Sequence, residues 1–296
     1  MADKLLVTGA SGHLGRLVLD KLLERGVEAG SIIATTRDPA KLADYAAKGI
    51  EVRQADFDDT AALVEAFKGA ARLALISTDA LDDRGTRRRQ HANAVEAAKA
   101  AGVKHIVYTS MPNPTPDAKV IFAPDHRLTE EAIKASGLSY TILRNTWYQE
   151  NQFMSLPTVL KSGGQWYTST GEGKVSFIAR ADCADAIAAV LASGTTESAT
   201  YTLTGAESFA SADVAALASE VLGTPVTVVQ LTDEQLAGGM KQHGVPDFLI
   251  PMLISFEAAI RLGQLSEQSG DLEKLTGKKP IPFRSFFEQN KAALLA

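Results

Sequence analysis

The sequence predicts an α/β protein, built on a doubly wound parallel sheet with a smaller C-terminal α/β lobe. Through residue 145, short β-branched runs alternate with longer segments of helical periodicity, which is typical of a parallel sheet covered by helices on both faces. A glycine-rich turn joins the first run to the first helical segment. The length of 296 residues leaves room for one further lobe.

The first half of the chain is expected to alternate strands with helices in order. The predicted strands cover residues 5–8, 31–36, 51–54, 73–77, 105–110 and 139–144, and the predicted helices cover residues 14–25, 39–48, 60–68, 88–101 and 126–136. Because crossovers between parallel strands are right-handed, a doubly wound sheet is the natural arrangement of these units.

Beyond residue 144 the alternation is less regular. Strands are expected at 175–178, 199–203 and 225–231, and helices at 181–192 and 211–222, with Ser211 as N-cap and Gly223 at the end of the second. Residues after Asp233 look helical, with interruptions at glycines and prolines. We therefore assign residues 1–145 to the core and 146–296 mainly to the lobe, with some segments returning to the core.

Composition excludes several classes of protein. The formal net charge of -5 offers no electrostatic surface for nucleic acid. The single cysteine, Cys183, allows no intrachain disulfide, and on an alanine-rich helix it is expected to be a small buried apolar side chain. The five histidines form no metal-ligand pattern. The apolar stretches at 5–7 and 248–260 are too short for a signal peptide or a membrane span, so we expect a cytoplasmic protein.

The strongest motif is the turn Thr8–Gly15, which reads TGASGHLG between the first strand and the first helix. Gly9 permits a tight turn, Gly12 lets a pyrophosphate approach the backbone, and Gly15 lets the helix pack closely on the sheet. The free amides and the dipole of the helix start attract phosphate. The turn therefore predicts a Rossmann-type dinucleotide site contacted by Gly9, Ala10, Ser11, Gly12, His13, Leu14 and Gly15.

The end of the second strand predicts the choice of dinucleotide. Arg37 occupies the position where an arginine favours the 2′-phosphate of NADP over the free ribose of NAD, and Thr36 can add a hydrogen bond. The alternative is that Arg37 is a solvated surface residue. Asp38 precedes Pro39 and is expected to cap the helix that follows.

Two further strand ends supply candidate cofactor contacts. Asp56 could accept a hydrogen bond from the adenine amino group with Phe57 beside the ring, or Asp56 could instead cap the next helix. Ser77 and Thr78 end the fourth strand, and the carboxyl ends of central strands form the ligand crevice of such sheets. We expect them near the nicotinamide ribose.

Five segments together resemble a known family. They are TGASGHLG (8–15), ATTRDP (34–39), QADF (54–57), IVYTS (106–110) and LRNTWYQEN (143–151). They are similar to the atypical short-chain dehydrogenases of the NmrA-like group, nearest to its type 2 quinone oxidoreductases and triphenylmethane reductases. The resemblance implies NADPH-dependent reduction of quinones or related dyes without flavin. It also adds Ser110, in the fourth of these segments, to the expected cofactor contacts.

One departure from the wider superfamily narrows the chemistry. Classical and extended short-chain dehydrogenases carry a Tyr-x-x-x-Lys pair on the helix after the fifth strand, but that helix here begins His126-Arg127-Leu128. No tyrosine lies between Tyr108 and Tyr140. Alcohol dehydrogenation and sugar epimerisation, which need that pair, are therefore disfavoured.

Three side chains remain as catalytic candidates. Tyr148 is expected to contact substrate or nicotinamide, or else to pack in the lobe interface. Asn145 is expected to hold the nicotinamide carboxamide or support the loop. His126 could donate a proton as imidazolium, or it could be a surface residue at a helix start. Tyr148, Trp147 and Phe153 are candidate substrate contacts. The alternative for Trp147 and Phe153 is that they pack in the apolar core. Residues 248–256 are expected to pack rather than to form a lid.

The arginines at 84, 87, 88 and 89 lie near a helix start, where cations are unfavourable. They could bind an anion, or they could form an exposed loop balanced by Asp79, Asp82 and Asp83. Two functions stay open: a reductase of electron-poor aromatic molecules, including quinones, azo dyes and triarylmethane dyes, or a dinucleotide sensor without turnover. We expect a monomer or homodimer that binds neither nucleic acid nor membrane.

Overall fold

The computed structural model describes residues 4–80 and 85–296. In this part of the chain the strands are β1 (Lys4–Val7), β2 (Ile32–Thr36), β3 (Glu51–Gln54), β4 (Ala70–Leu75), β5 (His105–Ser110), β6 (Ser139–Asn145), β7 (Gln165–Thr168), β8 (Lys174–Val175), β9 (Ala199–Leu203), β10 (Phe209–Ala210) and β11 (Thr227–Gln230). The α-helices are α1 (His13–Glu24), α2 (Ala43–Ala47), α3 (Thr60–Phe67), α4 (Thr86–Ala100), α5 (Ala123–Ala135), α6 (Gln152–Lys161), α7 (Arg180–Ser193), α8 (Ser211–Leu222), α9 (Asp233–Gln242), α10 (Ile250–Arg261), α11 (Asp271–Thr276) and α12 (Phe283–Leu295).

A seven-stranded parallel sheet forms the centre of the described fold. Its strand order is β3-β2-β1-β4-β5-β6-β9. The predicted doubly wound sheet is confirmed. The order reverses between β1 and β4, and ligands of such sheets bind in the crevice outside the carboxyl ends of the strands at that point.

The strands alternate their side chains between two apolar layers. Val7 and Val107 lie in the layer shared with α1 and α7, while Leu6, Ile106 and Tyr108 lie in the layer shared with α3, α4 and α5. Because helices cover both faces, central strands such as β4 are buried along their whole length. The sheet is therefore a rigid base for the loops at its carboxyl edge.

Two segments from beyond residue 145 complete this core. β9 pairs in parallel with β6 as the edge strand, and α7 packs against α1. Arg72 of β4 ties the end of α7 to the sheet by donating to the carbonyl oxygens of Val190 and Thr195. Cys183 on α7 is fully buried, as predicted.

The lobe differs from the sequence prediction at several places. α6 and β7 were not predicted, since Pro157 interrupts the helical pattern of α6. The strand expected at 225–231 is the shorter β11, which pairs with β7. Ser211 is not the N-cap of α8: Ala210 is, and its N–H donates to the Asp213 carboxylate. Gly223 ends that helix as expected.

The lobe has its own apolar core around the last helix. Phe283, Phe286 and Phe287 of α12 pack with Phe177 and with helices α6 and α8. α10 packs inward through Phe256, whose ring lies 4.1 Å from that of Trp147 between centroids. Within residues 248–256, Phe256 is buried and Phe248 is exposed, and the expectation that this segment packs rather than forms a lid stays a prediction.

Candidate active site

The close packing of α1 on the glycine-rich turn leaves no space for a side chain at Gly15. Gly9 has a φ of +58°, a conformation that favours glycine. A Cβ on Gly15 would lie 2.4 Å from the Gly9 carbonyl oxygen and 2.6 Å from the Ala10 Cα. Gly12 is the N-cap of α1 and offers no side chain to its amides. The helix start is therefore open to an anionic group such as a pyrophosphate.

The end of β2 faces this turn. The Ser11 and Thr36 hydroxyl oxygens lie 2.8 Å apart and are hydrogen-bonded. Arg37 is exposed, and its guanidinium forms no ion pair with any residue that the structure describes. Asp38 accepts a hydrogen bond from the Ala40 N–H and caps the turn that starts at Pro39, as predicted. One cation beside the turn is thus left for a ligand.

A cavity of about 510 Å³ lies at the switch point of the sheet. Its lining combines the glycine turn, the ends of β2 and β4, the segment after β3 and the first turns of α4. The residues are Gly9, Ser11, Gly12, His13, Leu14, Gly15, Thr35, Thr36, Arg37, Ala55, Asp56, Phe57, Ile76, Ser77, Thr78, Asp79, Ala80, Thr86 and Gln90. Of the expected cofactor contacts, Ala10, Ser110 and Asn145 are not in this lining. The lining residues that were not predicted are Thr35, Ala55, Ile76, Asp79, Ala80, Thr86 and Gln90. The last two could have been expected, because the helix after β4 borders any crevice at that strand end.

The segment after β3 presents Asp56 and Phe57 to the cavity. The Asp56 carboxylate accepts from the Asp58 N–H in a tight turn, and the cap of α3 is Asp59. The alternative in which Asp56 caps that helix is therefore wrong. Asp56 remains exposed and Phe57 half-buried, so both are accessible to a ligand.

Ser110 is committed to a different partner. Its hydroxyl donates to the Glu130 carboxylate over 2.8 Å, and Arg144 donates to both oxygens of the same carboxylate. Glu130 is 3% exposed, so the hydrogen-bonded side chains of Ser110, Glu130 and Arg144 fill the space between β5, β6 and α5. The expected contact of Ser110 with the cofactor stays a prediction, and the hydroxyl proton is already in use.

Two buried polar atoms near the carboxyl ends of β4 and β6 have no hydrogen-bond partner among the described residues. They are Thr78 Oγ1 and Asn145 Oδ1. A buried polar atom without a partner is costly, and a ligand that supplies the missing hydrogen bond relieves this cost. Thr78 lines the cavity, whereas Asn145 lies outside its lining, so the expected contact of Asn145 with the cofactor stays a prediction.

Asn145 and Tyr148 form a pair at the end of β6. Asn145 Nδ2 donates to Tyr148 Oη over 3.0 Å. The hydroxyl hydrogen of Tyr148 is therefore free to donate elsewhere. The Arg180 guanidinium lies 5.0 Å from the centre of the Tyr148 ring, and burial raises the pKa of Tyr148 well above its ordinary value. The phenol thus stays protonated and held by its neighbours.

His126 does not match either of its predicted roles. It lies inside α5 and is 4% exposed, so the interpretation as a surface residue is wrong. Desolvation, together with the positive charge of Arg87, holds the pKa of His126 well below its ordinary value. Its Nδ1 bonds the Tyr108 hydroxyl at 2.8 Å and its Nε2 contacts Arg87 at 3.2 Å. Such a neutral ring does not act as an imidazolium donor.

Trp147 and Phe153 pack against different partners. Trp147 is half-buried and packs with Phe256, as already described, and Phe153 lies 5.4 Å from Phe286 between ring centroids. Phe153 is 36% exposed. Trp147 lies between Asn145 and Tyr148 in the sequence. Phe153 instead packs where α6 contacts α12.

The arginine cluster divides into separate contacts. Arg88 and Arg89 are exposed and pair with Asp125 and Asp58. Arg87 is 7% exposed, and its guanidinium lies 4.8 Å from the centre of the Phe122 ring. Arg84, Asp82 and Asp83 lie outside the described residues.

Comparison with known proteins assigns the class of protein. A family model described as NAD(P)H-binding matches residues 9–194. The chain belongs to this NAD(P)H-binding family and is an NAD(P)H-dependent oxidoreductase. The dinucleotide expected at the glycine turn is therefore NAD(P)H.

Three relatives are similar to the chain over nearly its whole length. The chain is 39% identical to quinone oxidoreductase 2 of Escherichia coli (strain K12) over 92% of its length and 93% of that protein. The structure of the NADPH-dependent quinone oxidoreductase of that species in complex with NADPH matches 99% of this chain and 100% of that one, with a TM-score of 0.90 and 37% identity. Triphenylmethane reductase of Citrobacter sp. in complex with NADP(H) matches with a TM-score of 0.88, 34% identity and coverage of 97% and 99%. NAD(P)H azoreductase of Xenophilus azovorans is 28% identical over 98% of both chains.

Over residues 4–80 and 85–296, no helix combines the length and the apolar character that a membrane span requires. The same residues contain no group of three or more His, Cys, Asp or Glu side chains placed to hold a metal ion.

Proposed function

We propose that this protein transfers hydride from NADPH directly to a quinone or a similar electron-poor aromatic acceptor, without flavin, and that azo and triarylmethane dyes are further acceptors. The observation that carries the proposal is the Asn145–Tyr148 hydrogen bond at the carboxyl edge of the sheet, just after β6, which leaves Asn145 Oδ1 without a partner among the described residues and the Tyr148 hydroxyl hydrogen free to donate. The relatives named for quinone, azo-dye and triphenylmethane reduction support this choice of acceptors.

Arg37 selects NADPH over NADH. Its guanidinium is free of ion pairs within the described chain, and it lines the cavity beside Ser11 and Thr36. A 2′-phosphate placed there gains charge-assisted hydrogen bonds from the guanidinium and hydrogen bonds from the two hydroxyls. A free ribose hydroxyl gains much less from the same cation.

Asn145 orients the nicotinamide end. Its unpartnered Oδ1 can accept a hydrogen bond from a carboxamide, while its Nδ2 stays on Tyr148. NADPH, when bound, supplies the hydride. A fixed ring orientation matters because correct placement of donor and acceptor can supply roughly 7–11 kcal/mol of the barrier in such reactions.

Tyr148 donates to the oxygen of the acceptor. Reduction of a quinone takes up one hydride and one proton, and the negative charge that develops on the oxygen is stabilised by a hydrogen bond from the Tyr148 hydroxyl. The Tyr148 hydroxyl keeps its own hydrogen and the proton comes from solvent, so that the products are the hydroquinone and NADP⁺. Because the oxyanion of a quinone is delocalised, no Tyr-x-x-x-Lys pair is needed. Trp147 provides an adjacent apolar ring for a flat substrate.

The test is steady-state oxidation of NADPH with a panel of acceptors, on protein shown by its absorbance to contain no flavin. The panel holds a benzoquinone, a naphthoquinone, an azo dye, a triarylmethane dye and a simple aliphatic ketone. We expect turnover with the conjugated acceptors and none with the ketone. Tight binding of NADPH without turnover of any acceptor would refute the proposal and would instead fit the dinucleotide sensor.

A further inference from the structure

The segment after β4 is held from behind by two side chains of α4. His91 Nε2 accepts a hydrogen bond from the Thr78 N–H over 3.1 Å, and Arg87 Nε donates to the Ala80 carbonyl oxygen over 3.0 Å. Thr78 and Ala80 both line the dinucleotide cavity. The wall of the cavity is therefore positioned by side chains that do not themselves line it.

The hydrogen bonds assign one tautomer to His91. Because the backbone N–H of Thr78 can only donate, Nε2 must be the unprotonated nitrogen and Nδ1 carries the hydrogen. Nδ1 lies 2.9 Å from the Thr129 hydroxyl oxygen, which in turn donates to the Asp125 carbonyl oxygen over 2.7 Å. A continuous chain of hydrogen bonds thus connects the cavity wall to the backbone of α5.

The His91 side chain has no exposed surface, so its contact with the Thr78 amide is shielded from bulk solvent on the His91 side. Thr78 has its amide bonded by His91 and its side-chain oxygen without a partner in the described structure. The backbone that His91 holds thus carries a hydroxyl that is free for a ligand. Side chains locked by a second layer of hydrogen bonds hold a binding geometry more accurately than a free loop does.

We infer that His91 is a positioning residue for the dinucleotide: it holds the Thr78 amide so that the 77–80 backbone and the Thr78 hydroxyl are in place before NADPH binds. This inference rests on the cofactor site but not on the acceptor proposed above. It predicts that a residue outside the cavity changes the affinity for the cofactor in the absence of any acceptor.

Two amide substitutions separate this role from packing. In His91→Gln, the side-chain oxygen can reach the position of Nε2 and accept from the Thr78 N–H. In His91→Asn, the shorter amide reaches only the position of Nδ1, beside Thr129. Calorimetric titration with NADP⁺ is expected to give a dissociation constant within about 2-fold of wild type for His91→Gln. For His91→Asn we expect a dissociation constant about 10-fold higher than that of wild type.

The matched control is His105→Asn. His105 is also a buried histidine, 1% exposed, and its two ring nitrogens contact the hydroxyls of Ser139 and Thr141. It starts β5, at the end of the strand away from the cavity. We expect this variant to lose stability but to bind NADP⁺ like the wild type. Equal affinities in His91→Asn and wild type, or equal weakening in all three variants, would overturn the inference.

A measurement on the wild type covers the case in which His91→Asn does not fold. Hydrogen exchange of the Thr78 amide in the absence of cofactor should be slow, because its hydrogen is bonded to a buried acceptor. Exchange of that amide at the rate of an open loop would contradict the inference whatever the variants do. Neither experiment depends on turnover, so the outcome is separate from that of the acceptor panel.

Discussion

At the scale of single residues, Arg37 and Tyr148 carry the two most specific parts of the proposed reaction. We propose that Arg37 selects the cofactor through its charge and that Tyr148 supplies a hydrogen bond to the acceptor. Their types and positions could be predicted from the strand ends in the sequence. The hydrogen bond between Asn145 and Tyr148 could not, because it depends on how the chain turns after β6.

Arg37→Ala is expected to weaken NADPH binding by roughly 10-fold or more and to leave NADH binding nearly unchanged, because only the 2′-phosphate uses the guanidinium. Dissociation constants for both dinucleotides, measured in wild type and variant, provide the check. Arg284→Ala is the control, since Arg284 is an exposed arginine that pairs with Glu220 in the lobe. Equal affinity of the wild type for NADPH and NADH would contradict the assignment.

Tyr148→Phe is expected to lower kcat for quinones by roughly 10-fold or more, since the hydrogen bond to the developing oxyanion is lost, while the affinity for NADPH changes little. Tyr140→Phe, on the opposite end of β6, is the matched control and should leave kcat unchanged. Unchanged kinetics in Tyr148→Phe would show that the hydroxyl has no catalytic part.

At the scale of elements, the strands and helices up to β6 could be predicted because each has a clear period and a buried face. α6 was missed because Pro157 breaks its pattern, yet the helix is packed by α12. The predicted N-cap of α8, Ser211, is one residue too late. At this helix start the Asp213 carboxylate accepts the hydrogen bond from the Ala210 N–H, and the Ser211 hydroxyl does not act as the cap. The burial of His126 was also not predictable, because it depends on Arg87 and Tyr108, which come from other elements.

The close packing of α1 on the glycine-rich turn is tested by Gly15→Ala. The added Cβ would lie within 2.6 Å of backbone atoms of Gly9 and Ala10. We expect a loss of roughly 1–3 kcal/mol in the free energy of unfolding and weaker NADPH binding. Gly30→Ala is the control, since a Cβ there meets nothing within 4 Å. Urea unfolding and calorimetric titration measure both effects, and a Gly15→Ala variant that behaves like the control would count against the described packing.

At the scale of the whole molecule, buried neutral histidines link stability to pH. Desolvation and the charge of Arg87 lower the pKa of His91 to about 3, and the pKa values of His105 and His126 are lowered too. The ordinary pKa of the unfolded chain is higher, so the unfolded state takes up protons first on acidification. Above that ordinary pKa the three histidines are neutral in both states and the free energy of unfolding is not reduced by them. As the pH falls below it, protonation of the unfolded state lowers the free energy of unfolding.

Stability should therefore fall between about pH 7.5 and about pH 5.5, with His91 contributing about 1.4 kcal/mol. Asp182 acts in the opposite direction, because burial raises the pKa of its carboxyl to about 6. Urea unfolding of wild type and His91→Gln at both values isolates the histidine, since glutamine does not titrate. The two proteins should differ in their pH dependence by about that amount, and parallel curves would contradict the neutral, buried state of His91.

Direct hydride transfer from the nicotinamide to the acceptor can be followed by isotope transfer. Flavin-free protein is given NADPH that carries deuterium at both C4 positions, together with a triarylmethane dye. We expect one deuterium on the central carbon of each reduced dye molecule, measured by mass spectrometry. A reduced dye that carries only hydrogen from solvent would contradict it.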